Sequence, residues 1–115
     1  MAVDLERFQL ILLFTPPDAP RYDDATTEQI QRDHLAFYTS LREAGHVVTN
    51  GPVRDQPDEA LRGIAIYAMP SLGQARELAA TDPAVQAGRL EVHAMSYLCR
   101  PGTMTRRGIP TTIDD

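Results

Sequence analysis

The sequence predicts an α+β domain with the element order β-α-β-β-α-β, and three observations predict it. Two near-continuous apolar runs, at residues 7–14 (RFQLILLF) and 61–69 (LRGIAIYAM), are too short for independent helices and are set off by polar, Pro-containing segments. Two stretches of helical periodicity, opened at Thr26 and Ser71, alternate with strand-like segments. A closing stretch, Leu90–Cys99, switches face residue by residue.

Arg7–Phe14 forms the first strand, ended by Thr15-Pro16-Pro17, and residues 15–25 make a Pro/Asp-rich loop. Thr26 and Gln29 form a capping box. Ile30, His34, Phe37, Tyr38 and Leu41 then follow on one helical face until Gly45 stops the helix. His46–Arg54 and Leu61–Met69 are the second and third strands, separated by Asp55–Ala60. Asn50-Gly51 is also a hairpin-turn signal. Pro52 could not donate to the returning ladder, however, so the reading is a single strand bent or bulged at Gly51-Pro52. Ser71 and Gln74 cap the second helix, and Asp82-Pro83 opens a short extra turn ended by Gly88. The last strand places Leu90, Val92, Ala94, Ser96 and Leu98 on one face and Glu91, His93, Met95, Tyr97 and Cys99 on the other. This is the ferredoxin-like order, a four-stranded antiparallel sheet with both helices on one face. One domain over residues 1–100 is expected, with 101–115, rich in Thr, Gly and Arg, as a tail or arm.

At 115 residues the chain has room for one core, and its 43% hydrophobic content supplies it. The longest strictly apolar run, Leu10–Phe14, is far short of a membrane span, and the start MAVDLERF lacks the features of a secretory signal. Cys99 is the one cysteine, which excludes an internal disulfide and a Cys-based zinc cage. A cytoplasmic protein is expected. The net charge of −5 disfavours nucleic-acid and anionic-membrane partners. All eleven basic residues are arginine, so Schiff-base chemistry, a P-loop lysine and a lysine general base are excluded. No nucleotide-binding, serine-hydrolase or metalloprotease motif is present, and His34, His46 and His93 share no metal-ligand spacing. Neither cofactor nor metal is expected.

Phe8, Leu10, Leu12 and Phe14 share one face of the first strand, yet Ile11 and Leu13 occupy the other, and the third strand is apolar on both faces. With the helices on one side only, the opposite surface is too apolar to face water. A second copy packed sheet to sheet is therefore expected, giving a homodimer.

His34 stands on the apolar stripe of the first helix and needs a hydrogen-bond partner from another element. Asp33 is no natural partner, because adjacent helical positions point about 100° apart. The chain's up-and-down order brings the start of the first helix and the end of the second to the same edge, where Asp82 lies. One Asp82 oxygen can cap the following turn while the other meets His34. The alternatives are a core histidine satisfied by a backbone carbonyl and an aspartate that only caps. His46 is expected to be exposed, His93 to serve packing or dimer contact, and Cys99 to behave as a small hydrophobe. Tyr38 and Tyr67 either line a pocket or place an aromatic with a polar tip in the core.

Taken together, Arg32-Asp33-His34-Leu35, Glu43-Ala44-Gly45, Asn50-Gly51-Pro52-Val53, Ala80-Thr81-Asp82-Pro83 and Ala87-Gly88 resemble the YCII-related family over about residues 7–100. The resemblance implies a dimeric α+β barrel in which a helix-one histidine faces the aspartate of an Asp-Pro motif in a pocket. By motif match these are His34 and Asp82, the candidate catalytic pair. Tyr38, Asn50, Gly51 and Pro52 are candidate substrate-binding residues. The sequence departs from the family pattern at Ala84, where an aromatic often follows Asp-Pro, and at Gln31, where an arginine is common; here the arginine is Arg32. The expected function is that of a small cofactor-independent enzyme using His34 as general base or acid on a small organic molecule, by isomerisation, elimination or hydrolysis. A non-catalytic ligand-binding or regulatory dimer and a cofactor-free oxygenase are the alternatives; the latter rests on fold analogy.

Overall fold

The structure, a computed structural model, describes residues 2–105 and 109–113. The elements are β1 (Glu6–Phe14), α1 (Asp24–Glu43), β2 (Val47–Pro52), β3 (Leu61–Tyr67), α2 (Leu72–Ala79), α3 (Pro83–Gln86) and β4 (Glu91–Cys99). The four strands form one sheet in the order β2-β3-β1-β4, every pair antiparallel, which is the ferredoxin-like order expected. After β4 comes a 3-10 turn at Thr103–Thr105, and residues 109–113 are exposed. Of the expected C-terminal arm, residues 106–108 and 114–115 lie outside the described residues.

Local chemistry sets the helix ends. α1 opens earlier than the Thr26 capping box predicts: Asp23 is the N-cap, and its carboxylate accepts from the Thr26 N–H at 2.7 Å. Aspartate caps at least as well as threonine, and it stands three residues ahead of an N–H that would otherwise be an orphan. That bond holds the Asp23 carboxyl below its usual range. At the other end Gly45 takes φ +80, while its N–H and that of His46 donate back to Arg42 O and Leu41 O. This double closure needs a left-handed residue, which glycine supplies. α2 starts at Ser71, whose hydroxyl accepts from Gln74 N–H at 3.1 Å, as the sequence predicts.

β2 runs straight through Asn50-Gly51-Pro52 with no hairpin turn, but the expected irregularity there is corrected. The register shift lies between Val47 and Thr49, whereas Gly51 and Pro52 pair regularly with Ile64 and Gly63. The reason is a close approach of the two backbones. A Cβ on Gly63 would stand 2.8 Å from Gly51 O, so glycine keeps the ladder regular at that point.

The helices cover one face of the sheet. Ile11, Leu13, Ala65 and Tyr67 from that face meet Tyr38 and Leu41 of α1 and Ala75 and Ala79 of α2, all buried. The two alanines let α2 sit close against β1 and β4, and α1 packs on β2 and α3. Gln9 is the polar intruder on this face, and it is satisfied: its Nε2 donates to Met69 O at 3.2 Å and its Oε1 accepts from Ser96. The other face carries Phe8, Leu10, Leu12 and Phe14 in register with Tyr97, Met95, His93 and Glu91. No helix among the described residues covers it. Nor is any of those helices long and apolar enough to cross a membrane.

Candidate active site

The site is built where α1, α3 and the β2–β3 end of the sheet converge. α1 presents His34 toward α3, and its neighbours on the same stripe, Phe37 and Tyr38, pack inward. Asp82 is fixed by its own turn: it is the N-cap of α3, Pro83 follows at the first helical position, and its Oδ1 accepts from Ala84 N–H at 2.9 Å. Its second oxygen, Oδ2, lies 2.7 Å from His34 Nδ1. Capping and pairing are thus performed by one carboxylate, the arrangement expected from the sequence.

Burial gives this pair its chemical character. Asp82 has no exposed surface, and the His34 side chain retains 14%. An ionised carboxylate only accepts, so the imidazole donates from Nδ1, and its lone pair then resides on Nε2. Nε2 has no partner among the described residues, yet none of their buried side-chain nitrogens or oxygens is unsatisfied. The exposed edge of the ring is therefore Nε2, and it faces a groove of about 1140 Å³ that His34 lines and Asp82 does not. The carboxylate lies behind the imidazole, and the imidazole borders the groove.

Behind the imidazole stand two tyrosines. The Tyr38 ring meets His34 edge-on with centroids 5.3 Å apart, and Tyr67 donates to the Tyr38 hydroxyl at 2.9 Å. Both rings are fully buried. Burial pushes the Tyr38 hydroxyl far above its ordinary range and the Tyr67 hydroxyl up to about 12, with Asp82's negative charge adding in each case. Tyr38 therefore belongs to the wall that orients His34 and not to the groove surface, where the sequence reading had placed it as a candidate substrate contact. A large aromatic on the helical stripe is drawn into the core by its own area.

The remaining candidates separate clearly. Asn50, Gly51 and Pro52 line the groove with His34. Asn50 is held there by Arg42, whose guanidinium donates to its side-chain oxygen. His46 is exposed, as expected, and Cys99 is half-buried. His93 lies on the open sheet face, bonded to Glu91 and stacked on Phe14 with centroids 4.5 Å apart. Among the described residues no three His, Cys, Asp or Glu side chains are grouped to hold a metal. The sequence reading missed the groove's arginines, Arg42, Arg62 and Arg89 among them. Arg89 had a legible signal, because it follows the Gly88 that closes the very turn capped by Asp82.

Comparison with known proteins agrees with the fold. The structure is similar to that of 5-chloro-2-hydroxyhydroquinone dehydrochlorinase (TftG) from Burkholderia phenoliruptrix AC1100, solved in complex with 2,5-dihydroxybenzoquinone. The two share 18% identity and a TM-score of 0.54, over 76% of this chain and 90% of that one. No protein of curated function matches the chain significantly. The model of the YCII-related domain matches residues 10–96, which include both His34 and Asp82. The chain belongs to the YCII-related domain family.

Proposed function

We propose that the protein is a small acid–base enzyme in which His34 moves a proton on an organic substrate held in the groove. Asp82 fixes the tautomer and stabilises the imidazolium formed. The observation that carries this reading is the 2.7 Å contact between a carboxylate without solvent exposure and an imidazole whose other nitrogen opens to the groove. Nε2 takes a proton from a substrate C–H or O–H, the electron pair left behind forms a new π bond, and either a leaving group departs or the proton returns elsewhere. Elimination and isomerisation are the two outcomes of that step. Elimination is also the chemistry that the name of the structurally similar dehydrochlorinase gives to that protein.

The working unit in this reading is a homodimer joined through the open sheet faces. Phe8, Leu10, Leu12 and Ile66 share the sheet face that no helix covers among the described residues, an apolar surface a second copy would bury. Sedimentation at micromolar concentration is expected to give twice the chain mass, and a monomer there would remove the dimer from the proposal.

The catalytic reading is tested by incubating the protein in D₂O with lactones, cyclic enols and chlorinated hydroquinones. Deuterium incorporation and substrate loss are followed by NMR, alongside oxygen uptake. Exchange or product formation that disappears in His34→Ala supports the reading. Turnover that persists in that variant refutes it, and oxygen consumption coupled to substrate loss would point to an oxygenase instead.

A further inference from the structure

The groove in front of His34 carries a charge pattern opposite to that of the chain. The protein has a net charge of −5, yet Arg42, Arg54, Arg62 and Arg89 line the groove against two carboxylates, Asp55 and Glu59. Two of the four arginines are engaged. Arg42 donates to Asn50 and Thr39, and Arg54 interacts within the chain. The guanidinium groups of Arg62 and Arg89 have no hydrogen-bond or ion-pair partner among the described residues. Arg62 is exposed, so its freedom is ordinary. Arg89 is half-buried. Because no buried side-chain nitrogen among the described residues lacks a partner, its guanidinium reaches solvent at the groove while its stem packs against the wall, open to an acceptor from a ligand.

The backbone that carries Arg89 is tied to the catalytic pair. Gly88 takes φ +76 and turns the chain out of α3, after which Arg89 N–H and Leu90 N–H both donate to Ala84 O. The N–H of that same Ala84 is held by Asp82 Oδ1. Asp82 therefore serves as a common reference: one oxygen aims His34, and the other anchors the turn from which Arg89 springs. The groove lining also includes the apolar side chains of Ile30, Leu35 and Leu90. An imidazole, an unpartnered guanidinium and several apolar side chains in one groove suit a partly apolar molecule with a negative end.

We infer that the ligand of this groove is a small organic anion whose charged oxygens rest on the Arg89 guanidinium, with Arg62 contributing a second positive charge from β3. The charge is borne by a carboxylate or by an ionised ring hydroxyl. The proton-exchanging atom faces His34 Nε2, and in that last clause alone the inference rests on the acid–base reading. A planar fork of N–H donors matches either oxygen arrangement, and such charge-assisted bonds are stronger than neutral ones. When His34 removes a proton the ligand becomes more negative, so the arginines hold the product of that step more tightly than its precursor.

The test uses two matched pairs of probes: benzoate against benzamide, and 2,5-dihydroxybenzoquinone, an anion at neutral pH, against its uncharged 2,5-dimethoxy ether. Binding is followed by calorimetry and by shifts of the His34 ring signals. At least one anion is expected to bind tenfold or more tightly than its uncharged partner, and to weaken as salt is raised. Preference confined to benzoate assigns a carboxylate, and preference confined to the quinone assigns a ring oxygen. Arg89→Met is expected to weaken the anion by roughly 10- to 100-fold and to leave the uncharged probe unchanged. If that variant does not fold, Arg62→Gln and the salt dependence of the native protein carry the same comparison. Equal affinity within both pairs, absence of binding by either anion, or anion binding indifferent to both substitutions overturns the inference. His34→Ala keeps the anion preference, so loss of preference and persistence of turnover in that variant are separate failures.

Discussion

Among the described residues two imidazole–carboxylate pairs stand at the same 2.7 Å separation, in opposite surroundings. His93 and Glu91 are two residues apart on one strand, with side chains 47% and 46% exposed. His34 and Asp82 are 48 residues apart, joined only by the fold, with side chains 14% and 0% exposed. In the outer pair water competes for both partners and the contact is worth little. In the inner pair the carboxylate also holds a helix end, and the buried Tyr38 ring packs edge-on against the imidazole, which limits its orientation. Contact distance alone does not mark a site. What marks it is a partner that cannot leave and a second nitrogen with somewhere to act.

The contrast breaks most visibly in turnover. His34→Ala should lower the rate on any compound the protein transforms by about 10²- to 10⁴-fold. His93→Ala should change it by less than threefold, as measured by initial rates at saturating substrate. Equal losses would show that the two pairs are not functionally distinct. Stability should follow the same order. Asp82→Ala removes a cap and leaves a half-buried ring donor unsatisfied, and is expected to cost about 2–4 kcal/mol in urea denaturation. Glu91→Ala should cost at most about 1 kcal/mol. Asp82→Asn sharpens the point: its amide oxygen can still cap Ala84, so much of the stability should return while turnover does not, because the carboxylate that selects the tautomer is gone.

The smallest effect belongs to the tyrosines behind the inner pair. Burial keeps Tyr67 neutral to about 12, whereas in the unfolded chain it ionises near 10.0. The folded state is therefore favoured by this group below pH 10, and that contribution disappears as pH rises from 10 toward 12. The urea midpoint should fall over that range, and Tyr67→Phe should flatten the slope. Nothing comparable stands behind His93, whose ring rests on Phe14.

Much of this was legible in the sequence. Apolar runs bounded by turn residues place the strands, because a strand's period and length leave little choice. The meeting of His34 with Asp82 followed from strand and helix directions together with the family's motifs. Other features escaped for physical reasons. Two plausible caps, Asp23 and Thr26, stand three residues apart, and only the bond formed decides between them. The β2 bulge lies near Val48 and not at Gly51-Pro52, because the deciding contact is between two backbones and leaves no side-chain signature. The groove arginines come from α1, the β2–β3 segment and the turn after α3, and nothing in the local pattern around each announces a shared cavity.

Asp82 spans two kinds of necessity. A mutation that silences most enzymes leaves a folded relic, free to drift toward binding or regulation. In the proposed mechanism the side chain that aims the reactive nitrogen also closes a turn of the backbone, with no surface of its own. A lineage losing that carboxylate loses architecture along with chemistry, so descendants that survive with an altered role should have changed at the imidazole and kept the acid.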